Sequence, residues 1–200
     1  MSPAPSRAPC LWAGALAVLL VLSGCGDTPS PTTPAAIGAA RAADRSSASE
    51  MSFLGSQLDA LRRATARFHN MGVAADAGYA GPPLTPCWYY GSEGAMGYHY
   101  ADPSLIDGMP DLLHPEILVY APNSHGDLSL VALEYIVPIP MWEGSDPPTL
   151  LGRDFERNDA LGLYALHVWL WRHNPNGMFA DWNPKVSCAG AEDSEDRSVS

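Results

Sequence analysis

Ten consecutive residues, Leu128 to Val137 (LSLVALEYIV), carry a single charge and stop at Pro138 and Pro140. An apolar run of that length is too short for a membrane span and too dense for a solvent-facing loop. Its β-branched and aromatic content predicts a strand, the strongest in the chain. A second run, Glu116 to Tyr120 (EILVY), precedes it across the loop PNSHGD, so the two are expected to form an antiparallel hairpin. Cys87–Tyr90 and Met96–Tyr100 are aromatic and β-prone. Tyr164–Trp171 (YALHVWLW) is read as a further strand, with a short buried helix as its alternative. Met141 to Asn158 is rich in Pro, Gly and charge and is expected to be a long excursion. Upstream, Leu54, Leu58, Leu61, Thr65, Phe68, Gly72 and Ala75 recur at helical spacing behind a capping box at Ser47–Glu50, with Gly78 as the stop. The expected class is therefore α+β: one long N-terminal helix packed on a curved, mainly antiparallel sheet of about five strands.

With 46% apolar and 16% charged residues the chain is no disordered polymer. A net charge of −11, with one lysine, excludes a nucleic-acid binder, which needs clustered basic residues. The N-terminus gives an address. Arg7 precedes the apolar stretch Leu11–Leu22, too short to span a bilayer, and Leu22-Ser23-Gly24-Cys25 follows. That ending resembles the lipobox of bacterial lipoproteins. The resemblance implies cleavage before Cys25 and acylation (palmitate) of that cysteine, anchoring the chain to the outer face of the cell membrane, or in the periplasm or outer membrane. Residues 1–24 are then a signal peptide. Residues 25–46, rich in Pro, Thr, Ala and Ser, read as a flexible tether, 47–188 as one domain, and 189–200 as a disordered acidic tail.

Once Cys10 is cleaved and Cys25 acylated, Cys87 and Cys188 remain. In an oxidising compartment they are expected to pair, with two free thiols as the alternative. Three polar residues interrupt the apolar strands: His99 between two tyrosines, Glu134 inside the central run, and His167 in YALHVWLW. By strand periodicity Glu134 shares a face with Leu128, Leu130, Ala132 and Ile136, and His167 with Trp169 and Trp171. A buried carboxylate needs a partner or a cation. Two imidazoles and a carboxylate facing one interior suit a divalent transition metal such as zinc, iron, manganese or copper, with open positions for water or substrate. The alternatives are a metal-free polar network, Glu134 paired with Arg172 or Arg153, or plain exposure. His173 is a possible fourth ligand, with a strand-end turn as the blander reading. No GxSxG, HExxH, phosphate loop or dinucleotide fingerprint is present.

The blocks GAMGYHY (Gly94–Tyr100), PEILVY (Pro115–Tyr120), LVALEY (Leu130–Tyr135) and LHVWLWRHNPNGMFADWNPKVSC (Leu166–Cys188) resemble a family of uncharacterised bacterial exported proteins. The resemblance spans nearly the whole domain and implies a small secreted fold, without an activity to carry over. Two functions are therefore weighed. One is a surface-tethered domain binding a metal or small ligand in a sheet-lined pocket, with metal-activated water or oxygen as the chemistry if it is an enzyme. The other is a non-catalytic envelope lipoprotein binding a protein or polysaccharide through Trp88, Trp142 and Trp182, expected in loops.

Overall fold

The computed structural model describes the backbone of residues 34–188, with side chains from Arg45 onward. Cys25, the leader, the first part of the expected tether and the acidic tail lie outside the described residues. The chain divides at Arg41: residues 34–41 are the described part of the first unit, a stretch of helix, and everything from Ala42 on belongs to the second. Among the described residues no helix is long and apolar enough to cross a membrane.

Helix α1 runs Pro34–Thr65, so it starts inside the stretch expected as tether and passes through Ser47–Glu50 rather than beginning there. Alanine has the highest helix propensity and proline is tolerated in a first turn, so PAAIGAARAA extends the helix backwards without needing a cap. Nor does the helix run unbroken to Gly78. A 3-10 turn, Ala66–His69, follows, and Asn70 takes extended backbone geometry and accepts hydrogen bonds from Gly72 N and Val73 N, starting a new helix α2, Met71–Asp76. An asparagine cap competes well with continuation of the preceding helix. The first part of the expected stripe is the buried one, with Leu58, Leu61, Thr65 and Phe68 all facing inward, but past the break Gly72 and Ala75 are exposed and Ala74 is buried in their place, because the new helix restarts the phase at Asn70.

Eight strands follow. β1 (Thr85–Tyr90), β2 (Gly94–Ala101), β3 (Ile117–Pro122) and β4 (Leu128–Pro138) form an antiparallel meander. β5 (Thr149–Leu150) and β6 (Arg153–Asp154) make a small ribbon within the expected excursion. β7 (Glu156–Asn158) and β8 (Leu163–Val168) complete a six-stranded sheet in the order β1-β2-β3-β4-β8-β7. The sheet thus has six strands rather than about five. The strand reading of YALHVWLW holds, but the strand ends at Val168.

Both faces of this sheet are covered, so it separates two apolar clusters. On one face Leu118, Leu133, Tyr135, Val137 and Val168 pack with Leu58, Leu61 and Phe68 of the helical segment. Tyr120 donates its hydroxyl proton to the Phe68 carbonyl at 2.5 Å, fastening that layer. On the opposite face Ile117, Val119, Ala132 and Ile136 meet Trp169, Cys87 and Val186. A bulge changes the expected phase of β4. Val119 pairs with Ala132, but Tyr120 pairs with Leu130, leaving Val131 unmatched. Glu134 therefore shares its face with Ala132 and Ile136, while Leu130 turns to the helical side. Cys87 and Cys188 form the expected disulfide, with Cα atoms 5.6 Å apart.

Candidate functional site

The site lies on the sheet face away from the helix. Register places its members: Glu134 on β4 sits opposite His167 on β8 and Ile117 on β3, and His99 on β2 sits opposite Val119 on β3 and Thr85 on β1. Residues directly opposite in antiparallel strands share a face. Thus the three polar interruptions, remote from one another in sequence, come to adjacent positions on one buried surface.

His99 is 4% exposed. Its Nδ1 lies 2.9 Å from Thr85 Oγ1, and it also donates to the Gly97 carbonyl. A proton on Nδ1 leaves the Nε2 lone pair directed at Glu134, whose Oε2 is 3.4 Å away and whose side chain is 12% exposed. The expected arginine partners are thus replaced by a histidine. The contact has the reach of an ion pair, yet burial drives each member toward neutrality. Desolvation pushes Glu134 up to about 8, helped by the charges of Asp181 and Glu116. Desolvation pushes His99 down to about 4, partly opposed by its bond to Gly97. At neutral pH the pair is a carboxylic acid beside a neutral imidazole.

His167 is 2% exposed, and neither ring nitrogen has a hydrogen-bond partner among the described residues. Its ring packs 4.7 Å from Trp169 and 5.9 Å from His99, centroid to centroid. Burial first, then neighbouring His99, hold it well below the usual histidine range. Leaving a buried polar group unpaired costs about 1–3 kcal/mol. Among the described residues no group of three or more His, Cys, Asp and Glu side chains is disposed to hold a metal ion. His99 and Glu134 stand as a pair, with His167 beside them. His173 is exposed at the strand-end turn, apart from this set.

A cavity of about 660 Å³ opens over Glu134, His99 and Thr85. Ala165, Glu156 and Asp181 separate it from a second cavity of about 440 Å³ that His167 lines. Trp88 and Trp182 wall the larger cavity, and Trp88 stands in β1 rather than in a loop. Trp142 ties its indole N–H to the Asp146 carbonyl at 2.8 Å. Sequence reasoning did not single out Thr85 or Asp181. Thr85 carries no signal beyond its place at the start of a strand. Asp181 stands in the ADWNP segment, which reads equally well as a turn. Burial raises Asp181 above the usual carboxylate range, with Glu156 adding to it.

No protein-family model matches the chain, and no curated protein or solved structure matches it.

Proposed function

We propose that this chain is an exported lipoprotein, held at the membrane through acylated Cys25, whose sheet-lined pocket binds a divalent transition metal at His99, Glu134 and His167 and presents it to a small ligand. The carrying observation is the spacing and state of the donors. Two ligands bound about 2.0–2.1 Å from one tetrahedral metal lie about 3.4 Å apart. His99 Nε2 and Glu134 Oε2 are 3.4 Å apart, longer than a good N···O hydrogen bond. The far nitrogen of His99 is held by Thr85, the kind of support that fixes a metal-binding imidazole. His167 supplies two buried nitrogens that have no hydrogen-bond partner among the described residues. The third donor does not close on the pair as it stands, so the reading requires the His167 ring to turn toward it. With three protein ligands the metal keeps an open position, where bound water becomes a nucleophile near neutral pH.

A second reading, a glycan or protein platform, is favoured by Tyr89 and Tyr90, each 54% exposed, and by the Tyr90–Trp182 contact at 5.7 Å. It draws less support from the tryptophans, since Trp88 and Trp182 line the cavity and Trp142 is tied to its own loop.

The test is elemental analysis of the full chain extracted with detergent from the membrane fraction; recovery there is what the anchor requires. About one equivalent of a transition metal is expected in the wild type, falling at least fivefold in Glu134→Ala and His167→Ala. Equal metal content in all three, or none in the wild type after zinc or iron supplementation, overturns the metal centre.

A further inference from the structure

The larger cavity has walls of a definite character, independent of any metal at its floor. We propose that the 660 Å³ cavity over Glu134 and His99 takes an uncharged amphiphile, a hydrocarbon body ending in a hydroxyl or carbonyl group. The inference shares its pocket with the proposed metal centre and names the class of small ligand that centre would meet; it does not need the metal to be present.

Three observations converge. The volume lies within the range of pockets that enclose small organic molecules. The wall is more apolar than polar and includes Trp88, Met96, Ile117, Ile136 and Leu163, a surface that gains from contact with hydrocarbon rather than water. At the mouth Leu84 and Leu161 stand 59% and 54% exposed, and an entering apolar body covers them.

Charge decides the head group. The cavity's acidic residues are Glu134, Glu156, Asp159 and Asp181. Its one cation, Arg157, is already engaged: Nε donates to Asp159 at 2.8 Å and Nη1 to the Tyr164 hydroxyl at 3.1 Å. A phosphate, sulfate or carboxylate head would meet carboxylates with no free cation to receive it, at a cost that low dielectric enlarges. A hydroxyl or carbonyl head hydrogen-bonds to the polar side chains that line the cavity, Thr85, His99 and Glu134, without that cost.

The experiment uses the full chain carrying Cys25→Ser, which removes the acyl anchor and leaves the residues that line the pocket unchanged. 1-Octanol and octanoate are titrated separately at pH 7, followed by Trp fluorescence and calorimetry. Octanol is expected to bind at least tenfold more tightly than octanoate. Leu161→Glu, at an exposed rim position that leaves the core intact, should weaken octanol severalfold, and Ala165→Leu, which narrows the cavity, should weaken it further. Octanoate binding as tightly as octanol, no octanol binding at all, or octanol affinity unchanged in both variants overturns the proposal. Zinc uptake by the same samples separates the two readings: zinc without octanol removes the amphiphile, and octanol without zinc removes the metal.

Discussion

Glu134 concentrates the energetics of the site in one side chain. Buried carboxyl and imidazole groups push stability in opposite directions along the pH axis. His99 has its folded value depressed to about 4 from 6.5, so the folded state binds fewer protons than the unfolded chain between those limits, and stability rises with pH there. Glu134 is raised to about 8, and Glu116, buried with its Oε2 accepting from Ile136 N, to about 7. For these the folded state keeps protons that the unfolded chain has lost, and stability falls as pH rises from about 4.5 through those values. Above 6.5 the histidine contribution is complete and only the carboxyl loss continues. In metal-free protein, Tm is therefore expected to decline between pH 6.5 and 8.5, with a slope of at most about 1.4 kcal/mol per pH unit for each proton involved. Glu134→Gln, which keeps the shape and removes the titration, should flatten that decline and exceed the wild type in Tm at pH 8.5. An identical decline in the variant would show that Glu134 is ionised in the fold. A metal held at Glu134, as proposed, would reverse the trend, because it would take the carboxylate form and expel the proton. How the site reads from sequence follows from the same physics. A lone acid or imidazole in an apolar strand is costly, so His99, Glu134 and His167 announce themselves. Thr85 and Asp181 lie where polar residues cost nothing, at a strand start and in a loop, and only the fold brings them to the pocket.

At the scale of elements, legibility follows how fully each segment is buried. β3, β4 and β8 are interior strands, and their near-continuous apolar runs mark them in the sequence. β7, by contrast, is the edge strand Glu156-Arg157-Asn158, exposed throughout, and its composition reads as loop. The bulge in β4 is invisible to a strict two-residue period, and so Leu130 is misassigned in phase from sequence alone while Glu134 is not. β2 depends on a feature with no hydrophobic signature. Gly97 has φ of +99°, and a Cβ there would meet the Tyr120 carbonyl oxygen at 2.7 Å and Val119 Cγ1 at 2.8 Å. The backbone of β2 thus approaches β3 more closely than any side chain permits, two residues from His99. Gly97→Ala is expected to destabilise the fold by about 1–3 kcal/mol. Because the Gly97 carbonyl also accepts from His99, it should lower metal and ligand affinity beyond what a comparably destabilising change on the helical face produces. Urea denaturation alongside a Leu58→Val control makes that comparison; equal losses of binding in the two variants would assign Gly97 to packing alone.

Across the whole molecule, the pocket is assembled from the two ends of the domain. β1 brings Thr85 and Trp88 to it from the start of the sheet, and the segment after β8 brings Asp181 and Trp182 from the far end of the described chain. Asn183 joins these ends by a reciprocal pair of backbone bonds with Ala95, at 3.2 and 3.3 Å, and the Cys87–Cys188 disulfide joins them covalently. The covalent tie lies two residues past Thr85 on β1, so it constrains the pocket wall as well as the unfolded chain. Closing a loop of sequence separation 101 stabilises by about 4–5 kcal/mol in the chain-entropy model. Loss of the disulfide is thus expected to act twice. Dithiothreitol should lower the urea midpoint of the wild type, and the Cys87→Ala/Cys188→Ala chain should match the reduced wild type and ignore the reductant. Well below that midpoint, where the chain is still folded, the double variant should bind octanol more weakly than the oxidised wild type, because β1 then loses its covalent tie to the end of the chain and keeps the Tyr90–Trp182 contact, with the Asn183–Ala95 bonds holding the same segment to β2. A lowered midpoint with undiminished binding would confine the disulfide to global stability. An unchanged midpoint would mean that the two thiols are free in the folded protein, and the wall of the pocket would then owe its position to backbone pairing alone.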